Sequence, residues 1–201
     1  MNRMPKIVDR RTFIGGSDAR IIMGNDELAL LRLWQEKRGE VEPQDLSNKL
    51  IVQLGIATED LNRRWYEANT GEAIIDVQRT TRHSTVRWLG ATLDGRVQST
   101  EAVFEAKFML PWSFSEEAAA AKHMAQLQHY MWVVAARAAV LSVITGGGKW
   151  AEIKTPRIRL TSISSSPRKG NSGAVWRTAR SLLFLESSRQ SRASRRFALS
   201  T

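Results

Sequence analysis

The chain of 201 residues contains no cysteine. Disulfides, thiolate zinc sites, iron–sulfur clusters and a Cys nucleophile are therefore excluded. It also lacks a long hydrophobic run. The most apolar stretch, Tyr130 to Ile144, is 15 residues long and interrupted by Arg137, too short to span a bilayer. The opening MNRMPKIVDRR has no apolar core of the kind a secretory signal needs. Together these absences point to a soluble, cytoplasmic chain with no membrane partner. Acidic residues are scarce in one region only: residues 155–201 hold 10 Lys and Arg but one acidic residue, whereas residues 1–154 hold 20 against 19. The net charge of +10 thus belongs to the tail. The body is close to neutral, and any binding it performs rests on particular residues.

What is present reads as one layered domain followed by a tail. Hydrophobic residues make up 42% of the chain, enough for a substantial core at a length prior of roughly 150 residues per domain. The spacing predicts a helix from Ser17 as N-cap through Ala19, Ile21 and Ile22, a second near Leu28–Lys37 stopped by Gly39, and a third capped by Thr58 and stopped by Gly71. The period then changes, and Ile74–Val77, Val86–Leu93 and Val103–Phe108 read as strands. Ser115 caps a helix whose core stripe is Met124, Leu127, Met131 and Val134. Ala139–Thr145 and Trp150–Lys154 give two more strands across Gly146-Gly147-Gly148. This order predicts an α/β (α+β) fold. The domain is expected over residues 1–155. Residues 156–201 form a basic tail with 11 of the 18 serines, expected to be poorly ordered or translated out of frame.

Hydrolysis of a phosphodiester with a divalent metal needs carboxylates converging on one point and a group that orients water. Asp94 ends one strand, Glu105 lies on the next, and Lys107 is two residues beyond it. Strand alternation puts Glu105 and Lys107 on one face and Phe104 and Ala106 on the other. Antiparallel pairing would set Asp94 beside Glu105, where two carboxylates repel unless a cation sits between them. Oxygen ligands suit magnesium or manganese. By spacing alone, an exposed strand ion pair competes evenly with this reading. Glu152 and Lys154 repeat the Glu-x-Lys pattern with no acidic residue close before them, and read as a solvated strand face.

In order along the chain stand GGSDA, Gly55 with Glu59, GATLDG, EAK and MAQLQHYMWV. This series, from about Arg10 to Lys154, resembles the lambda exonuclease/YqaJ-type phage recombination nucleases of the PD-(D/E)XK superfamily. The resemblance implies a restriction-endonuclease-like core, a central mixed β-sheet flanked by helices. It implies that Asp94, Glu105 and the carbonyl of Ala106 bind Mg2+ or Mn2+, that Lys107 orients the attacking water, and that Glu59 completes the acidic cluster. Without the resemblance, Glu59 reads as a first-turn dipole residue. Gln126 falls on the family's active-site glutamine, with Gln128 a weaker candidate. The position before Asp94 is Leu93, not the proline of the superfamily name, and it is not a ligand.

Ser17 at a helix start, with Arg10 and Arg11 before it, suits a DNA 5'-phosphate, since helix N–H groups and arginine both favour that anion. A plain N-cap with surface arginines is the competing reading. Thr145-Gly-Gly-Gly-Lys149 lacks the phosphate-loop spacing and reads as a hairpin turn. His123 and His129 show no metal spacing and read as surface or network residues, while Trp65, Trp88 and Trp132 read as core and Trp112 as a loop residue able to meet DNA. The expected function is a magnesium-dependent exonuclease resecting linear duplex DNA. By the resemblance, its partners are double-stranded DNA ends, a single-strand annealing protein and copies of itself in a ring. The alternatives are a catalytically impaired DNA-binding remnant and a basic protein gripping nucleic acid through its tail.

Overall fold

The computed structural model describes residues 10–158; the tail expected after residue 155 lies almost wholly outside the described residues. Four helices, α1 (Gly16–Ile22), α2 (Glu27–Arg38), α3 (Leu50–Thr70) and α4 (Glu116–Val133), accompany seven strands: β1 (Ile74–Ile75), β2 (Arg79–Arg82), β3 (Gly90–Leu93), β4 (Gly95–Val97), β5 (Val103–Met109), β6 (Ala138–Thr145) and β7 (Trp150–Pro156). The main sheet runs β1-β4-β5-β6-β7, and β2-β3 form a separate ribbon. All main-sheet pairings are antiparallel except β5 with β6. That parallel pair is joined by α4, as a parallel connection requires a crossover. The architecture is thus the mixed sheet flanked by helices expected from the sequence.

Two apolar clusters sandwich β5. Val103 and Met109 join Leu89, Leu93, Leu127, Met131 and Leu141 on the α4 face. Phe104 and Ala106 join Tyr66, Val97 and Val140 on the α3 face, where the rings of Tyr66 and Phe104 are 5.1 Å apart and tilted. Strand alternation therefore holds as read, and Glu105 points toward α4. A polar cross-brace locks α3 to the sheet. Asn62 Nδ2 donates to the carbonyls of Ser142 (2.9 Å) and Lys107 (3.2 Å), Ser142 Oγ donates to Asn62 Oδ1 (2.6 Å), and Trp150 Nε1 donates to Ser142 Oγ (2.8 Å).

Several local expectations are met at their caps. Ser115 accepts from Ala118 N, and Gly39 and Gly71 end their helices with left-handed backbone, φ 72° and 73°. Others are corrected. Helix α3 begins at Leu50, not at Thr58, whose hydroxyl donates to the Leu54 carbonyl from inside the helix. The N-cap of α1 is Gly15, and Ser17 is its second residue. The strand expected over Val86–Leu93 is confined to Gly90–Leu93, because His83 Nδ1 accepts from the Thr85 and Val86 amides and folds that stretch into a turn. Its partner β2, Arg-Thr-Thr-Arg, has no apolar alternation and went unread. Trp65 (48%) and Trp132 (39%) are exposed rather than core, while Trp88 packs on the core as read.

Candidate active site

Asp94 is the residue at which the chain leaves the β2-β3 ribbon and enters the main sheet. The β4-β5 register pairs Gly95 with Phe104, so Asp94 stands next to Glu105 across the strands. Asp94 Oδ2 accepts from the Ala106 amide at 2.9 Å, which fixes one carboxylate oxygen. Glu105 is 1% exposed. Its Oε1 accepts from Lys107 Nζ and from Gln126 Nε2, the latter at 2.5 Å. Among the described residues, its Oε2 is buried with no hydrogen-bond partner. A buried carboxylate oxygen left unsatisfied is costly, and what it lacks is a proton or a cation.

The electrostatics point the same way. Burial, and then the charge of Glu105, push the Asp94 carboxyl up to about 7. Burial also raises Glu105, against the pull of Lys107. Burial works to lower Lys107, but the carboxylates of Glu105 and Asp94 outweigh it and hold the ammonium above its ordinary value. Lys107 is therefore a charged amine throughout neutral pH. Clustered, mutually perturbed carboxylates of this kind mark functional sites more often than structural ones.

Glu59 projects from the middle of α3 rather than from its first turn, which removes the dipole reading of that residue. Burial and then Asp94 raise its pKa, and Gln78 donates to its Oε1. Glu59, Gln78 and Asp94 line one cleft of about 290 Å³ together with Ile56, Val77 and Phe104. Sequence reasoning missed Gln78, whose neighbours carry no recognisable motif. Gln126 is set by an unusually close approach: a Cβ on Gly16 would lie 2.4 Å from the Tyr130 ring and 2.8 Å from Gln126 Cγ. Only glycine lets α1 sit this tightly on α4. Gln126 Nε2 also lies 3.1 Å from Tyr130 Oη. Gln128 is elsewhere, donating to the Pro156 carbonyl and accepting from the Ile158 amide.

His123 and His129 are buried, at 3% and 8% exposure, which corrects their surface reading. Burial, with Lys107 and Arg20 nearby, pushes His123 down to about 3, so it is a neutral imidazole. His129 Nε2 donates to the Gly90 carbonyl at 2.9 Å. Arg10 and Ser17 meet, Nη2 donating to Oγ at 2.7 Å on the exposed side of α1. Arg11 turns away to Glu42 at 3.4 Å. An ion pair invisible in the sequence holds this corner: Lys37 Nζ lies 2.6 Å from Asp18 Oδ2 and also donates to the carbonyls of Arg10 and Phe13, each at 2.7 Å.

The model of the YqaJ-like viral recombinase domain matches residues 8–146. The chain belongs to this family. Every residue of the acidic site lies inside the matched segment of the YqaJ-like chain. It is 30% identical over 162 residues to the uncharacterized protein YqaJ of Bacillus subtilis (strain 168), covering 77% of this chain and 50% of that protein. The YqaJ-like chain thus spans about half the length of this relative. Its fold is similar to that of an alkaline exonuclease from Laribacter hongkongensis, with a TM-score of 0.67 at 16% identity over 94% of this chain and 96% of the other. The same exonuclease in complex with dAMP gives a TM-score of 0.63 at 16% identity over 92% and 95%. A phage-related exonuclease from Haemophilus somnus 129PT gives 0.60 at 13% identity over 73% and 85%.

Proposed function

We propose that this YqaJ-like chain is a divalent-cation-dependent DNA nuclease that hydrolyses phosphodiester bonds, and that it resects linear duplex DNA from its ends as an exonuclease. The observation that carries this reading is the unpartnered Oε2 of Glu105, buried beside Asp94 with Lys107 and Gln126 on the other oxygen. Family membership and the fold shared with two exonucleases support it.

The donor set suits Mg2+ or Mn2+: carboxylate oxygens from Asp94 and Glu105, the carbonyl of Ala106, and Glu59 across the cleft. Among the described residues, no three Asp, Glu or His side chains close a cage by themselves. That is the ordinary situation for Mg2+, which keeps several waters. Such a cation supplies charge to polarise the phosphoryl group. The chain's own groups do the rest. Gln126 holds one oxygen of Glu105 and leaves Oε2 available to a cation that would be held there. The Ala106 amide orients Asp94. Lys107, kept charged, hydrogen-bonds and orients an attacking water and offsets charge developing on the phosphoryl oxygens. Arg10 and Ser17, already hydrogen-bonded to each other, offer a charged donor and a hydroxyl to a terminal 5'-phosphate.

A single-strand annealing protein as partner and a ring of subunits belong to the same proposal. Among the described residues no helix is long and apolar enough to cross a membrane. The test is to incubate 5'-phosphorylated and 5'-hydroxyl linear duplexes with Mg2+, with Lys107→Ala and Glu105→Ala alongside. Degradation that disappears in both variants and favours the phosphorylated end supports the reading. Retained DNA binding without degradation by the unaltered protein would assign it instead to the impaired, DNA-binding class.

A further inference from the structure

We propose that Gln78 is a positioning residue, holding the Glu59 carboxylate toward Asp94 for cation binding. This rests on the reading of Asp94, Glu105 and Glu59 as the cation site.

The segment Asp76-Val77-Gln78 connects β1 to β2 and forms the wall of the cleft opposite α3. Both Asp76 and Gln78 have left-handed backbone, each at φ 54°. Asp tolerates this region better than most residues, whereas Gln has no local hydrogen bond to favour it. Such conformations persist only where the surroundings over-determine them, and they concentrate at functional sites. Here the surroundings are visible. Asp76 Oδ1 is 2.9 Å from Arg79 Nη1, its Oδ2 is 3.8 Å from Arg96 Nη1, and the Arg79 amide donates to the Asp76 carbonyl at 3.2 Å. These contacts clamp the residues on either side of Val77-Gln78 to the base of β4. The strained turn places the Gln78 amide across the cleft, where it donates to Glu59 Oε1.

Gln78 itself is exposed, so burial in a core does not explain its conformation. Glu59 sits in mid-helix beside Thr58, whose hydroxyl is turned back on the helix, and among the described residues no other side chain donates a hydrogen bond to it. An amide from Gln78 engages one oxygen of Glu59 in the cleft that Asp94 also lines. Partners of this outer kind orient ligands and typically carry about 10- to 100-fold in metal affinity.

The discriminating variant is Gln78→Gly. Glycine adopts a positive φ freely, so this change relaxes the backbone while deleting the donor. A merely structural Gln78 makes it neutral or stabilising. A positioning Gln78 makes thermal stability hold or rise while Mn2+ affinity, measured by titration calorimetry on the full chain without DNA, falls about tenfold or more. The Mn2+ concentration for half-maximal hydrolysis should rise in parallel, with the rate at saturating Mn2+ largely restored. Gln78→His, which keeps a donor, should recover part of the affinity. Unchanged Mn2+ affinity in Gln78→Gly overturns the proposal. Glu105→Gln separates the two levels of inference. If it abolishes Mn2+ binding while Gln78→Gly does nothing, only the role of Gln78 fails. If the unaltered protein binds no Mn2+, the cation reading of the site fails and the role of Gln78 falls with it.

Discussion

Gln126 and Glu105 lie on different layers, one in the middle of α4 and one on the central strand β5, yet the Gln126 amide donates to Glu105 Oε1 at 2.5 Å. With Lys107 on the same oxygen, Glu105 Oε2 is left buried without a partner among the described residues. The helix that follows β5 in sequence crosses back over it to reach β6, so the residue that orients the carboxylate and the carboxylate itself belong to one β-α-β unit.

Replacing Gln126 by Ala should free the Glu105 side chain and lower cation affinity by about 10- to 100-fold, the usual cost of losing a group that orients a ligand. Nuclease activity at limiting Mg2+ should fall by a similar factor. Calorimetry and a metal-concentration series on linear duplex DNA check this. Equal affinity in the variant and the unaltered protein would show that Lys107 alone holds Glu105.

The site should also titrate near neutrality. Asp94 must be ionised to hold a cation, and its carboxyl is pushed up to about 7 by burial and Glu105. Below that pH, cation affinity should fall about tenfold per unit as the proton competes. For the metal-free protein the sign is the reverse of that of a salt-bridged carboxylate. A raised pKa means the folded state holds the proton more tightly than the unfolded chain, so the stability from this group is complete below its ordinary value of 3.8 and is lost as pH rises to about 7. Melting temperatures of Asp94→Asn and unaltered protein, measured without metal across pH 4 to 8, should converge at the acid end. Parallel curves would contradict the assignment.

Gly16→Ala tests the close packing of α1 on α4. The added Cβ would lie 2.4 Å from the Tyr130 ring, closer than real carbon contacts allow. Overpacking of this sort costs about 1–3 kcal/mol. Because Gln126 Cγ is the next atom displaced, activity should fall more than stability does. Denaturant melts and duplex-degradation rates on one preparation give both numbers, and a variant with normal values for each would place slack where the packing shows none.

Asn62→Ala should strand the carbonyl of Ser142, buried with its hydroxyl between α3 and the sheet. Leaving such groups unsatisfied costs about 1–3 kcal/mol each, with the further consequence that α3, and Glu59 one turn away, loses its anchor. A drop in denaturation midpoint with unchanged m-value is the expected signature.

The β5 site was legible because its signal is local. Strand alternation puts Glu105 and Lys107 on one face whatever surrounds them, and Asp94 sits one residue before the Gly95–Phe104 pair. The start of α3 was not legible. Thr58 imitates an N-cap, and the residues ahead of it, Leu50, Ile51 and Ile56, are apolar yet exposed at 72%, 44% and 61%, so the helix offers no clean apolar face to read. The same blindness covers Gln78, Asn62 and the Lys37–Asp18 pair, whose partners lie 19 to 80 residues away. The basic tail, so prominent in the charge count, stands almost wholly outside the described residues.

The order of most elements, the shared face of Glu105 and Lys107, and the family follow from the chain alone, because they depend on neighbours within a few residues and on the order of motifs. The tertiary structure decided which groups are dry. Desolvation raises Asp94 to about 7, lowers His123 to about 3 and strands one oxygen of Glu105, and it depends on layers brought together from distant parts of the chain. A carboxylate in sequence is only a charge; enclosed between β5 and α4, it must be answered by a proton or a cation.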